Sequence, residues 1–255
     1  TVFLSCLMSF YIIYEGVELK NKAQDLSKRL DTEVFIEPKL IKKNDYAEDY
    51  FLVLTSGRNY ISKGLRKNSK PIFSDFDRWS VNYEDRLLQR SVKGLPQNFT
   101  CLDLTAGFGK DSLEISKIKN CYSIALIEKE LWVYELLKDG VMNATTSKAL
   151  QCLSKFRIYN LDNLEFLVSC EEGFDLIYID PMFSGVQKSK AKKHMQALRD
   201  LSSSVNSPDL LKTSLDKAKH RVIVKRHKNM GYLESLVPTR SIEGKVVRYD
   251  IYNTK

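Results

Sequence analysis

The sequence predicts an α/β protein: a mostly parallel sheet with helices on both faces and an antiparallel last strand over residues 96–255, preceded over residues 1–95 by a small α+β domain. Three observations predict it. From residue 99 onward, strand-like and helix-like runs alternate regularly, the pattern of parallel strands joined by helical crossovers. Before residue 95, short strand and helix signals mix without that order. The 255 residues, 43% hydrophobic and 28% charged, suit one large domain or two modest ones and exclude a disordered chain.

Element by element, Phe10–Tyr14 reads as a strand, and Gly16 precedes Val17–Leu30, where Leu19, Ala23, Leu26 and Leu30 recur at helical spacing. Val34–Ile36 and Tyr50–Thr55 are β-branched or aromatic runs, and Thr55–Asn59 reads as a hairpin loop into Tyr60–Ser62. Pro71–Phe76 is a further expected strand. Asn82–Lys93 has a helical pattern that Gly94, Leu95 and Pro96 end, and the domain boundary is expected there. Strands then follow at Phe99–Leu104, Ser123–Ile127, Phe156–Tyr159, Asp175–Ile179 and Arg221–Lys225. The last one, Lys245–Tyr252, comes with no long helix to carry a crossover, so it is expected to run antiparallel. The apolar stretch Thr1–Tyr14 lacks a basic flank, a small-residue cleavage site and the length to span a bilayer, and residues 1–7 are expected to be an extension upstream of a start at Met8.

Forty Lys and Arg against 32 Asp and Glu give a net charge of +8, which favours a polyanionic partner. The five cysteines are widely spaced and form no C-x-x-C, so neither a disulfide framework nor a zinc ribbon is expected, and a reducing cytoplasm fits. The three histidines show no ligand spacing with Cys or acidic residues. No metal and no membrane partner are expected.

Asp103-Leu104-Thr105-Ala106-Gly107-Phe108-Gly109-Lys110-Asp111 follows a strand and opens a helix. Glycine lets backbone approach a ligand closely, and the helix start offers unpaired N–H groups. Alone, the G-x-G would equally suit any tight strand-to-helix turn. Glu128, at the end of the second strand and about 20 residues on, is placed to accept hydrogen bonds from ribose hydroxyls. Asp103 beside the loop would repel a pyrophosphate but suits a ligand with a positive amino group, which favours S-adenosylmethionine over a dinucleotide. Asp180-Pro181-Met182-Phe183 stands at the carboxyl end of Asp175–Ile179, where open α/β sheets bind ligands. An exocyclic amine on a base is a poor nucleophile because its lone pair is delocalised into the ring. Acceptors on Asp180 and the Pro181 carbonyl would hold its N–H groups so that the lone pair faces the methyl, and Phe183 would stack on the base. Asp162 and Asn163, after the third strand, either face the adenine or cap the next helix. Lys188, Lys190, Lys192 and Lys193, with Lys225 and Arg226 at the end of the next strand, border the same rim and are read as phosphate contacts.

Over residues 99–255 the chain resembles the bacterial small-subunit (16S) ribosomal RNA guanine-N2 methyltransferases of the RsmJ type. The resemblance lies in the glycine loop Asp103–Asp111, in Leu126-Ile127-Glu128-Lys129, in Tyr178–Phe183 with Gln187-Lys188-Ser189, in Val222–Arg226 and in Arg248–Tyr252. It implies a Rossmann-like methyltransferase fold, S-adenosylmethionine as cofactor, and small-subunit ribosomal RNA or the assembled subunit as substrate. It also implies cofactor contacts at Lys110, Asp111, Glu128, Lys129, Asp162, Asn163 and Asp180, in addition to Asp103, Gly107 and Gly109 of the loop. The family has Arg where this chain has Lys110. The competing readings are an adenine-N6 methyltransferase acting on RNA or DNA and a non-catalytic RNA-binding protein with a decayed cofactor site.

Overall fold

The computed structural model describes residues 9–36, 46, 48–65, 69–181, 201 and 209–254. Described residues up to Phe73 form one unit; those from Ser74 to Pro181 and from Asp209 onward form another.

In the first unit, β1 (Phe10–Tyr14), α1 (Lys20–Leu30), β2 (Glu33–Ile36), β3 (Tyr50–Leu54) and β4 (Tyr60–Lys63) build a four-stranded sheet of order β2-β1-β3-β4. β1 lies parallel to β2 and β3, while β4 returns antiparallel to β3. All five residues of β3 are buried, as a strand covered on both faces requires. The β3–β4 turn is closed by the Thr55 N–H, which donates to Asn59 Oδ1 at 3.0 Å. The helix expected from Val17 starts as a 3-10 turn, Val17–Leu19, and ends at Asp31 in the left-handed conformation.

The second unit contains α2 (Phe76–Asn82), α3 (Arg86–Val92), β5 (Phe99–Asp103), α4 (Lys110–Ser116), β6 (Cys121–Ile127), α5 (Leu131–Met142), α6 (Ser147–Leu153), β7 (Phe156–Tyr159), α7 (Asn163–Ser169), β8 (Phe174–Ile179), α8 (Leu210–Lys217), β9 (Ala218–His227), β10 (Arg240–Glu243) and β11 (Val247–Asn253). Its seven strands run in the order β10-β11-β9-β8-β5-β6-β7. β5 to β9 are mutually parallel, and β11 enters antiparallel between β9 and β10, as expected for the last strand. β10 was not anticipated. The order reverses at β5, with β6 on one side and β8 on the other, so a crevice opens beyond the carboxyl ends of β5 and β8.

Alternation along each strand divides the core between the two faces. Cys101, Tyr178, Ile223 and Tyr249 face one layer, with Leu113, Leu137 and Phe76. Leu102, Ile177, Val222 and Val224 face the other, with Leu167 and Leu211. Burial on both faces explains the near-continuous apolar runs.

Two expectations need correction here. Pro71–Phe76 makes only the bridge Ile61↔Ile72 before Phe76 opens α2, because Asp75 caps that helix through the Arg78 N–H. The boundary expected at residue 95 falls inside packed structure: Asp85 caps α3, and Phe76, Leu88, Val92 and Leu95 join the core of the seven-stranded sheet. The division lies between Phe73 and Ser74.

Candidate active site

The loop after β5 binds its neighbours on both sides. Toward β6, the Ala106 N–H donates to the Ile127 carbonyl at 3.1 Å and the Gly107 N–H to Glu128 Oε2 at 2.8 Å. Toward β8, the Leu104 N–H donates to the Tyr178 carbonyl at 3.0 Å, and the Asp180 N–H donates to Thr105 Oγ1 at 2.7 Å. The three strand tips bearing Gly107, Glu128 and Asp180 therefore meet at one place.

The two loop glycines serve different ends. Gly109 sits at φ 80°, and a Cβ there would stand 2.6 Å from Leu137 Cδ1 and 2.9 Å from Phe76 Cζ, so packing alone demands glycine. Gly107, at φ 54°, would bring a Cβ no nearer than 3.9 Å to another atom, the Thr105 carbonyl oxygen. That side of the loop is open for a ligand to approach.

Asp103, 1% exposed, accepts from the Thr105 N–H at 3.0 Å and from the Ser112 hydroxyl. Burial pushes its carboxyl up to about 7 against the pull of those two donors. Glu128 is likewise buried and pushed up to about 7, although the Gly107 and Glu130 N–H groups each donate to one of its oxygens at 2.8 Å. A carboxylate has about four lone-pair sites, so two backbone donors leave room for ribose hydroxyls. No ammonium or guanidinium pairs with either acid among the ion pairs of the described residues.

On the β8–β9 side the arrangement differs. Lys225 Nζ lies 2.5 Å from Asp111 Oδ2 and 2.9 Å from Asp180 Oδ2. The Tyr178 hydroxyl donates to the same Asp111 oxygen at 2.7 Å. Burial works against ionisation of Asp111, but the Lys225 ammonium and the phenol outweigh it and hold the carboxyl below the usual range. Burial and the neighbouring Asp111 charge raise Asp180, with Lys225 opposing them. The burial that disfavours the Lys225 charge is outweighed by the two carboxylates, which raise that ammonium well above its ordinary value.

The remaining expected site residues fall as follows. Lys110 Nζ stands 3.5 Å from the Tyr83 ring centroid, a cation–π contact. Asp162 caps α7 through the Leu164 and Glu165 N–H groups and pairs with Lys129 at 3.1 Å. The capping alternative is thus realised for that residue. Asn163 Nδ2 lies 3.5 Å from the Leu104 carbonyl, beside the loop. Pro181 is buried. Phe183, Lys188, Lys190, Lys192 and Lys193 lie outside the described residues.

Two residues read as phosphate contacts are engaged elsewhere. Lys225 shares the Ile223 face of β9 and bridges the two acids. Arg226, 7% exposed on the opposite face, donates through Nε and Nη2 to the Gly231 carbonyl at 3.1 and 2.9 Å. Sequence reasoning also missed Thr105, Tyr178 and the bridging role of Lys225. The available signal for Lys225 was a cation directly after the apolar run Val222–Val224 and in phase with Ile223.

The sequence profile of a family described as "Putative SAM-dependent methyltransferase" matches residues 38–254. A Coxiella burnetii protein named ribosomal RNA small subunit methyltransferase J is 31% identical over 227 residues, covering 85% of this chain and 88% of that one. The chain belongs to this methyltransferase family. A Francisella tularensis protein of the same name is 28% identical over 201 residues, covering 74% of this chain and 83% of its own. A SAM-dependent methyltransferase structure from Neisseria gonorrhoeae shares the fold, with a TM-score of 0.64 over 95% of each chain at 19% identity. The cofactor of this methyltransferase family is S-adenosylmethionine, and the site suits it. Four carboxylates, Asp103, Asp111, Glu128 and Asp180, surround a loop left open at Gly107, a setting for a ligand carrying a sulfonium and an ammonium. Among the described residues no helix is long and apolar enough to cross a membrane, and no cluster of His, Cys, Asp and Glu is arranged to hold a metal ion.

Proposed function

We propose that the protein methylates the exocyclic N2 amine of a guanosine in small-subunit ribosomal RNA, with Asp180 as the group that orients the amine. The observation that carries this reading is the state of the Asp180 carboxylate. Its Oδ2 is anchored on Lys225, whereas its Oδ1 has no hydrogen-bond partner among the described residues, and the side chain is 28% exposed. Such an oxygen is an acceptor ready for an amine N–H. The names of the Coxiella and Francisella relatives support the substrate class.

Bound S-adenosylmethionine supplies a methyl made electrophilic by its sulfonium. Asp180 Oδ1 and the Pro181 carbonyl accept from the two amine N–H groups, turning the lone pair toward that methyl. As the nitrogen gains its new bond it becomes acidic, and Asp180 takes the released proton. Rate comes from alignment and from acceptors fixed in advance, since the Asp180 backbone is held by Thr105 before any substrate arrives. A paired base must leave its stack to reach Asp180. Phe183 is assigned to stack on the extruded base, and Lys188, Lys190, Lys192 and Lys193 to the phosphates beside it. Cytoplasmic location follows from the substrate.

The test is methyl transfer from labelled cofactor to small subunits from cells lacking this protein, with the product nucleoside identified by mass. N2-methylguanosine is expected. N6-methyladenosine would replace the base assignment, and no incorporation alongside tight cofactor binding would overturn the substrate reading.

A further inference from the structure

We infer that Lys225 is a positioning residue for methyl transfer: its ammonium, shared between Asp111 and Asp180, fixes Asp180 as an acceptor and turns Oδ1 to the substrate amine. The inference deepens the proposed function and rests on that reading for its substrate.

The geometry requires a shared cation. Both Asp oxygens lie within 2.9 Å of a single Nζ, so the two carboxylates are close neighbours in a largely buried site. Two such acids without a cation retain one proton between them. A proton on Asp180 would make it a donor facing another donor, the amine N–H, and alignment would be lost. Lys225 is held in place by the sheet: the β8–β9 register pairs Ile179 with Val224, which sets the next residues, Asp180 and Lys225, side by side at the strand tips. On its other flank Lys225 pairs in register with Tyr249, whose hydroxyl donates to Asp85 at 2.8 Å.

Other charged or titratable groups face this cluster. They are Asp111 and Lys110 on α4, Asp103 at the tip of β5, Tyr178 on β8, Tyr249 on β11, and Tyr83 and Asp85 ahead of α3. The phenols are pushed up by burial, out of the neutral range. Asp103, at about 7, also titrates there and is itself raised by the Asp111 and Asp180 charges, so the Asp180 signal is separated from it by the residue-resolved NMR titration below.

Two substitutions should move Asp180 in opposite directions. Lys225→Met removes the cation and leaves two acids together, so the acid limb of the kcat–pH profile should move up by at least about one unit, with about tenfold lower turnover on that limb. Asp111→Asn removes the competing carboxylate and leaves the ammonium to Asp180 alone, so the limb should move down. Lys225→Arg should return the limb toward wild type. The profiles are measured at saturating cofactor on unmodified small subunits. A lysine that merely stabilised the fold would leave the limb of Lys225→Met where it stands in wild type, and that result would overturn the inference. Should Lys225→Met fail to fold, Lys225→Gln, which keeps a polar side chain without the charge, carries the same test. Titration of the Asp180 carboxyl carbon by NMR in the full chain needs no RNA and should show the same opposed shifts. Opposed shifts without any transfer would sink the substrate reading and leave the clamp standing; transfer with unmoved limbs would remove the clamp alone.

Discussion

The two sides of the crevice hold their acids by different means. Beside β5 and β6, Asp103 and Glu128 are satisfied by backbone N–H groups and one serine hydroxyl, all neutral donors, and burial lifts both to about 7. Beside β8 and β9, Asp111 and Asp180 share the Lys225 ammonium. Neutral donors orient an acid while leaving its charge in reserve for a cationic ligand. An ammonium instead favours the charged form of both acids: it outweighs burial at Asp111 and opposes burial and the Asp111 charge at Asp180. One side is held by neutral donors alone and the other by a shared cation.

The strongest way to break this contrast is Asp180→Ala. Turnover at saturating cofactor should fall at least about 100-fold, the usual cost of losing a preset charge-stabilising group, with a much smaller loss of cofactor affinity by calorimetry. Near-normal turnover would dissolve the distinction between the sides. Next in size is Gly109→Ala. The new Cβ would meet Leu137 and Phe76 in a conformation that L residues avoid, so urea unfolding should show a loss of about 2–4 kcal/mol. Gly107→Ala, with open space around it, should cost only about 1 kcal/mol of stability and act instead on cofactor affinity. Equal stability losses in both variants would mean that the open side of the loop is not a ligand face.

The pH dependence of stability sharpens the same comparison. Glu128 is lifted in the folded state to about 7 from an ordinary 4.5. The folded form therefore holds a proton that the unfolded chain releases, and this contribution is fully present below the ordinary value and is lost as pH rises through about 7. Glu128→Gln removes that dependence. In urea unfolding without cofactor, the variant should gain on wild type between about pH 4.5 and 7, by on the order of 3 kcal/mol. Asp111 has the opposite sign: its lowered carboxyl gives stability that disappears only as pH falls through its depressed value. A gap that does not grow with pH would mean that Glu128 stays ionised in the folded chain.

Legibility in the sequence followed periodicity. β5, β6, β8 and the Val222–Val224 stretch of β9 announced themselves because strands buried on both faces are written as largely apolar runs bounded by turns. β10, Arg-Ser-Ile-Glu, is a short polar edge strand and carries no such signal. The segment from Phe76 to Val92 was assigned to the wrong unit because two seven-residue helices with aspartate caps look alike wherever they dock; only the burial of Phe76, Leu88 and Val92 reveals their partner. Gly107, Glu128 and Asp180 were readable as a site because strand tips at a reversal of order must converge. Lys225 and Arg226 were misread because a basic pair at a strand end looks like a phosphate patch. Which charges turn inward depends on the face each occupies and on what that face meets, here Asp111 on α4, distant in the chain, and the Gly231 carbonyl just after β9.

The smallest expected effect separates two roles at Asp162, on the β7 side of the crevice. Its Oδ1 caps α7 and its Oδ2 meets Lys129, an ion pair whose lysine is 59% exposed and which therefore adds little. Asp162→Ala should cost about 1 kcal/mol, the usual worth of an N-cap. Asp162→Asn keeps a capping oxygen and should restore nearly all of that stability. Cofactor affinity then discriminates. If the residue only caps, the Asn variant binds S-adenosylmethionine like wild type. A drop of about tenfold in the Asn variant, with stability intact, would mean that the carboxylate itself reaches the adenine amine, since only the charge and one acceptor oxygen have changed. In that case the neutral-donor side of the crevice would extend from β5 and β6 to the tip of β7.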